Sequence, residues 1–291
     1  MAAEFVEVTK QEAGQKLVRF LERRVGKDVP RSAIMRWIRK GNVRVDKGRC
    51  KPFDLVKEGQ TVRIPPYKAE EQQVRKLPTL EIIYEDDNYL AVCKPAGLPT
   101  QGGTGHDDCV ADRLLFMFAD AAYKPAPAHR LDRDTSGVVL AGKSHQGQKN
   151  LSDFFAEHGE GGKFYLAQVE GEWKREGWTG LQDRMEKRGP KGREKMVVGS
   201  GKNASCSVRA IKTDRDSSLL MVKLHTGRTH QIRVQLSSRG FPIAGDVKYG
   251  GSKGRMKLHC LRIETPWFTA SCLPDWENLP DIFDHFYVDH D

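Results

Sequence analysis

Apolar positions in the first 66 residues recur at helical spacing twice and then at strand spacing. Leu17, Phe20 and Leu21 fall on one face of a helix predicted over 11–24. Ser32 suits the N-cap of a second helix that puts Ile34, Trp37 and Ile38 on one face and stops at Gly41. The opposite face carries Arg36, Arg39 and Lys40. Val43-Arg44-Val45, a turn at Asp46-Lys47-Gly48 and Thr61-Val62-Arg63-Ile64 read as short strands before Pro65-Pro66. The result is a small α/β-type module over 1–66 with basic residues outside an apolar core.

The character changes twice after it. Residues 67–79 are charged and polar, with Glu70, Glu71, Gln72 and Gln73 in sequence and Pro78 near the end, and they read as a linker. From Leu80 onward β-forming runs dominate: 80–84, 89–93, 138–141, 164–169, 205–211 and 219–224. Helical stretches over 110–118 and 146–158 are interleaved. The spacing is too irregular for a βαβ alternation, so 80–291 is expected to be one α+β domain built on a mixed sheet.

Charge sharpens this division. Residues 1–66 hold 16 Lys/Arg against 8 Asp/Glu, so that segment carries +8 of the chain's +9 net charge. Such one-sidedness favours a polyanion partner, most simply nucleic acid, against the alternative of a solvated basic surface. The six cysteines are scattered with no Cys-x-x-Cys, which points to reduced thiols and not to a disulfide frame or zinc site. No signal-peptide pattern opens the chain and no apolar run reaches membrane-spanning length, so a cytoplasmic location is expected.

The most informative stretch is His129-Arg130-Leu131-Asp132-Arg133-Asp134-Thr135-Ser136-Gly137, two carboxylates in a basic turn that enters a strand. A carboxylate fixed beside cations in a turn is a ready nucleophile; an Asx-turn is the structural alternative. Asp132 and Asp134 are two apart and point to opposite sides, so they do not straddle one bond as a glycosidase pair would. Asp132, next to apolar Leu131, is the better chemical candidate. Gly137 to Ser144 matches a phosphate-loop pattern, but the four residues between its glycines are β-forming and apolar, which excludes it. A calcium loop fails because Lys143 stands where a bidentate Glu is required.

Two further stretches stand out. In 224–236 a strand ends near His225, the chain turns at Gly227, and a helix is expected from Thr229 with Ile232 and Leu236 facing inward. Arg228 then lies at a helix N-terminus, an unfavourable place for a cation. Either a carboxylate, with Asp132 the candidate, or solvent or a phosphate faces it. Lys163-Phe164-Tyr165-Leu166-Ala167 is a strand whose Tyr165 ring either packs in the core or stacks on a planar base. The basic stretch 184–195 reads as a hairpin, solvated or in contact with phosphates.

Together these segments resemble the pseudouridine synthases that modify ribosomal and transfer RNA. The family's His-Arg-Leu-Asp-x-x-Thr-Ser-Gly segment is matched at His129 to Gly137, its Lys-x-Tyr strand at Lys163 and Tyr165, and its Gly-Arg-x-His-Gln-Ile-Arg segment at Gly227 to Arg233. Tyr84 to Asp87 and Lys94 to Leu98 are similar to its opening strands and loop. Residues 13–66 resemble an S4-like RNA-binding module. The resemblance implies an α+β catalytic domain with a mixed, largely antiparallel sheet, preceded by that module. It implies isomerisation of uridine in large-subunit ribosomal RNA, with transfer RNA or a non-catalytic RNA-binding role as alternatives. By the same resemblance Asp132 is the nucleophile, Arg228 its ion-pair partner and Tyr165 the ring against the base, while Arg130 fills the space of the flipped uridine. Arg36, Arg39, Lys40, Arg44 and Arg233 are expected to bind RNA. A monomer needing no metal or nucleotide cofactor is expected.

Overall fold

The computed structural model describes residues 3–26, 29–67, 76–102, 108–157, 161–190, 194–277 and 279. In chain order the elements are β1 (Glu4–Glu7), α1 (Leu17–Val25), α2 (Arg31–Lys40), β2 (Arg44–Val45), β3 (Thr61–Ile64), β4 (Glu81–Glu85), β5 (Tyr89–Lys94), α3 (Val110–Met117), β6 (Ala126–Pro127) and β7 (Ser136–Gly142). They continue with α4 (His145–Glu157), β8 (Gly162–Glu170), β9 (Thr179–Arg188), β10 (Lys195–Val198), β11 (Lys202–Thr213), β12 (Ser217–Leu224), α5 (Gln231–Ser237), a 3-10 turn (Val247–Tyr249), β13 (Leu258–Glu264) and β14 (Thr269–Ser271).

The N-terminal part closes on its own core. Leu17, Phe20 and Leu21 of α1 and Ile34 and Ile38 of α2 pack with Val62 and Ile64 under the small sheet β1-β3-β2. Helix α1 starts at Leu17, later than the spacing of 11–24 predicts. Gly14 takes φ 84°, outside the helical region, and the buried Glu12 carboxylate accepts the Thr9 N–H at 3.0 Å and its hydroxyl at 2.9 Å. Helix α2 is capped by Pro30 and not by Ser32, because the Pro30 carbonyl already accepts the Ala33 N–H at 2.8 Å. Gly41 ends it as expected, in the left-handed conformation at φ 74°. Arg36, Arg39 and Lys40 are exposed and Arg44 is half-buried. This part touches the rest of the chain through Arg23, which lies 4.0 Å over the Tyr123 ring and donates to the Lys124 carbonyl at 3.1 Å, and through the Gln11 carbonyl, which accepts the His145 N–H at 2.8 Å. The expected linker over 67–79 falls largely on 68–75, outside the described residues.

The remainder is an α+β unit on one large sheet, with strand order β10-β9-β11-β12-β8-β13-β7-β5-β4, β14 pairing with β13, and β6 with β7. Every pairing is antiparallel except β13 with β7, so the sheet is mixed and largely antiparallel. Strand β7, Ser136 to Gly142, is buried along its whole length, as a central strand covered on both faces must be. That placement also disposes of the phosphate-loop pattern, whose apolar residues are this strand. A side chain at Gly137 would overlap the Cys260 carbonyl across the parallel pair, and its φ of 114° excludes other residues as well. Among the described residues no helix is long and apolar enough to cross a membrane.

Candidate active site

The turn ahead of β7 is pinned from behind. His129 accepts the Leu140 N–H on Nε2 at 3.1 Å, and its ring meets Phe155 at 4.6 Å. Burial, with Lys163 nearby, pulls its pKa down to about 3, so the ring is neutral and serves as an acceptor. The Thr100 hydroxyl both donates to the Leu131 carbonyl at 2.9 Å and accepts the Leu131 N–H at 3.0 Å. The Asp132 carbonyl accepts the Thr135 N–H at 3.1 Å, closing the turn.

Beneath it lies Lys94, the last residue of β5 and fully buried. Its amine donates to the carbonyls of Pro95 at 3.0 Å, Leu98 at 2.7 Å and Arg133 at 2.9 Å, binding the 95–98 loop to the Asp132 turn. Burial pulls its pKa down to about 7, with the nearby Asp134 and Asp132 charges acting in the opposite direction. From that value up to the ordinary lysine value of 10.5 the unfolded chain holds a proton that the folded chain releases. Lys94 therefore makes stability rise with pH across this window. Lys94→Met is expected to remove that slope and, at pH 7, to destabilise by about 2–4 kcal/mol, because the Pro95 and Leu98 carbonyls lose this donor while the Arg133 carbonyl keeps the Gly97 N–H. Denaturant unfolding across the pH range measures both.

Asp132 opens into a cavity of about 590 Å³ between the 128–135 turn, β8, α5 and the 227–230 loop. Its side chain is 24 % exposed. Tyr165 on β8 and Ile232 and Leu258 line the same cavity, together with Lys163 and Phe155. The Tyr165 hydroxyl reaches the Cys260 thiol, which faces it across β13, and burial raises its pKa well above the usual phenol range. Asp134 lines a separate pocket and pairs with Arg133 at 3.0 Å, so the two carboxylates do point apart.

The cation on Asp132 is Arg233, which corrects the expected pairing with Arg228. Arg233 Nη1 lies 3.0 Å from Asp132 Oδ2, and its Nε and Nη2 bind Asp246 at 2.7 and 2.8 Å. The guanidinium also lies 5.0 Å over the Tyr249 ring. Burial opposes its charge, but the hydrogen bonds and charges of Asp246 and then Asp132 outweigh that, and its pKa rises above the usual range. The reason for the exchange is local. His230 takes the left-handed conformation (φ 53°, ψ 25°), so α5 begins at Gln231 and its first turn presents Arg233. Arg228 stays outside the helix, still on the cavity wall, and its Nε donates to the Asn203 carbonyl at 2.9 Å. A cation at a helix start does find carboxylates here; it is Arg233, for which the sequence suggests an RNA-binding role. Its side chain is 8 % exposed and its three nitrogens are taken by Asp132 and Asp246. Arg130 is exposed at the cavity mouth.

Sequence reasoning missed Asp246, Tyr249 and His230. His230 Nε2 lies 3.7 Å from Asp132 Oδ2, and its Nδ1 meets the Tyr249 hydroxyl at 2.7 Å. The charge demand at the helix start, taken at Arg228, points to one carboxylate, Asp132; nothing in the sequence points to a second. Among the described residues no group of three or more His, Cys, Asp or Glu is placed to hold a metal ion.

Comparison with known proteins agrees with this architecture. Residues 88–238 match the RNA pseudouridylate synthase family and residues 15–62 match the S4 domain. The chain is 36 % identical over 260 residues to ribosomal large subunit pseudouridine synthase C of Escherichia coli (strain K12), covering 86 % of this chain and 80 % of the relative. The protein of the same name from Vibrio parahaemolyticus is 35 % identical over 257 residues, covering 85 % and 80 %. In fold the chain is similar to human RNA pseudouridylate synthase domain containing 1, with a TM-score of 0.57 at 24 % identity over 71 % of this chain and 86 % of that one. Human RNA pseudouridylate synthase domain containing 4 gives 0.54 at 23 %, over 70 % and 90 %. This chain belongs to the RNA pseudouridylate synthase family and carries an S4 domain ahead of the catalytic fold.

Proposed function

We propose that this protein isomerises uridine to pseudouridine in large-subunit ribosomal RNA, with Asp132 as the nucleophile. The observation that carries the assignment is a part-exposed carboxylate ion-paired to a buried arginine on the wall of a cavity that also holds an aromatic ring. The N1–C1′ bond breaks, the base turns while held, C5 bonds to C1′, and the C5 hydrogen leaves as N1 takes up a proton. Arg233 holds the Asp132 carboxylate, and the Tyr165 ring packs on the base. Lys163, whose amine burial pulls below the ordinary lysine range, lies on the cavity wall. Arg130 at the mouth fills the space that the extruded uridine leaves in the RNA, and Arg228 contacts the strand from the opposite rim. The substrate is extruded, at a cost of a few kcal/mol that is least in unpaired RNA.

Residues 1–66 act as the grip on RNA, through Arg36, Arg39, Lys40 and Arg44. The protein works as a cytoplasmic monomer, with 80–291 as the catalytic unit. Relatives named for the large ribosomal subunit favour ribosomal over transfer RNA as the target. The test is tritium release from C5-labelled uridine, with purified protein and either large-subunit ribosomal RNA or bulk transfer RNA. Release from the ribosomal RNA alone supports the target; release from transfer RNA alone transfers the assignment to that substrate.

Replacing Arg36, Arg39 and Lys40 together by Ala is expected to weaken binding and lower the slope of log K against log salt by about 2, at roughly 0.7 for each phosphate of single-stranded RNA no longer neutralised. The single-turnover rate at saturating protein should be unchanged. A salt titration of RNA binding checks this, and an unaltered slope removes these three side chains from the interface.

A further inference from the structure

His230 stands in a left-handed backbone conformation beside Asp132, its ring held at Nδ1 by Tyr249 and turned with Nε2 toward the carboxylate. Two hydrogen bonds through Tyr249 bear on where its proton sits. Strand β10 is the edge of the large sheet, and its Met196 N–H donates to the Tyr249 hydroxyl oxygen at 3.3 Å. A backbone amide only donates, so the Tyr249 oxygen is an acceptor there and has one proton left to give. Among the described residues the acceptor within reach of that proton is His230 Nδ1, at 2.7 Å. Burial raises the Tyr249 pKa, so the phenol keeps the proton it donates. With Nδ1 accepting, the neutral ring carries its hydrogen on Nε2, the atom that lies 3.7 Å from Asp132 Oδ2.

Resting on the proposed role of Asp132, we propose that His230 is a positioning residue whose Nε2–H directs the attacking carboxylate. Tyr249 and the edge of the β9–β10 hairpin hold it in that tautomer. The 3.7 Å separation is longer than a hydrogen bond, and a shift of about 0.7 Å on substrate binding would close it, as catalytic contacts tighten once substrate is bound. The hairpin is coupled to this arrangement by packing as well. Met185 and Met196 form a cluster with Val234 of α5 and Tyr249, and the Lys195 amine donates to the Lys248 carbonyl at 3.0 Å.

Protonation of His230 would break the arrangement. Nδ1–H would make the Tyr249 oxygen accept twice, from Met196 and from His230, and the Tyr249 proton would lose its acceptor among the described residues. The charged groups facing the ring are Asp132 from the turn, Arg233 from α5, and Asp246 and Lys248 from the 246–249 segment. Burial lowers the His230 pKa, Asp132 and Asp246 oppose that, and Arg233 and Lys248 reinforce it, so the ring stays neutral at pH 7. Activity should fall on acidification below the usual histidine range.

The test combines single-turnover isomerisation as a function of pH with nitrogen-15 NMR of labelled histidine, on the full-length protein. Wild type is expected to show His230 as the Nε2–H tautomer and an acid limb in the rate. His230→Ala should lose about 10- to 100-fold in rate at unchanged RNA affinity, the scale of a misplaced reacting group. His230→Gln, which keeps an N–H near Nε2, should recover most of that rate and show no acid limb. Tyr249→Phe leaves the backbone at His230 alone and should move the acid limb to higher pH with mixed tautomers. An unchanged rate in His230→Ala overturns the proposal, as do a pH profile and nitrogen signals in Tyr249→Phe identical to wild type. If wild type itself releases no tritium, the reading of the site fails instead, and the tautomer measurement still decides the hydrogen-bond chain.

Discussion

Asp132→Asn binds RNA as wild type does and loses tritium release by about 10⁴-fold or more, the order expected when a nucleophile is removed. The substitution keeps the volume and the turn. The Asp132 carbonyl still accepts the Thr135 N–H, and Lys94, Thr100 and His129 still pin the loop from behind. Only the anionic oxygen facing Arg233 is lost. Asp134→Asn is the matched control, because Asp134 is half exposed, pairs with Arg133 and opens into a different pocket. It should stay within about threefold of wild type, as surface changes away from a site do. Loss of activity in Asp134→Asn with normal activity in Asp132→Asn would reverse the assignment. A filter-binding isotherm alongside the release assay separates chemistry from binding.

Arg233→Met has the second large effect, on stability and rate together. Asp246 is 1 % exposed and takes both of its short hydrogen bonds from this guanidinium. Removing the cation strands a buried carboxylate, which costs about 3–5 kcal/mol of folding free energy. Asp132 loses its only charged partner within 3.5 Å among the described residues, so the rate should fall more than about 100-fold even where the protein remains folded. Arg228→Met should change stability by less than about 0.5 kcal/mol, since its side chain gives up one bond to the Asn203 carbonyl. Urea unfolding of the two variants measures the contrast. Equal stability losses would contradict the pairing of Arg233 with both carboxylates.

Much of this organisation was legible in the sequence because it follows from local periodicity. The α1 and α2 apolar faces, the Gly41 stop and the strands β5, β7, β8, β11 and β12 all announce themselves by spacing and turn residues. Strand β13 does not. Leu258 to Cys260 are buried on both faces, with the polar His259 among them, and its parallel pairing with β7 is a tertiary fact that no alternation encodes. The edge strands β10 and β14 are three or four residues long, too short to carry a period.

At the site the electrostatic demand is met, but by a different arginine. A cation at the start of a helix needs an anion, and here two carboxylates meet it, Asp132 on the cavity wall and the buried Asp246 behind it. Placing that cation required the first residue of α5, and this was set by a left-handed histidine, a conformation with no signature in the chain. Asp246 and Tyr249 lie 13 and 16 residues beyond Arg233, on a loop whose approach to Asp132 depends on the fold and not on spacing. The carboxylate itself was found because its turn is local: Leu131 faces inward, Asp132 faces the cavity, and Gly137 admits the backbone of Cys260.

Mapping every pseudouridine in large-subunit ribosomal RNA from cells lacking this protein is the most direct check on what the enzyme does. Specific uridines should remain unmodified, regain modification when the wild-type chain is restored, and stay unmodified when Asp132→Asn is restored at equal abundance. A pseudouridine profile that is the same with and without the protein would contradict the account.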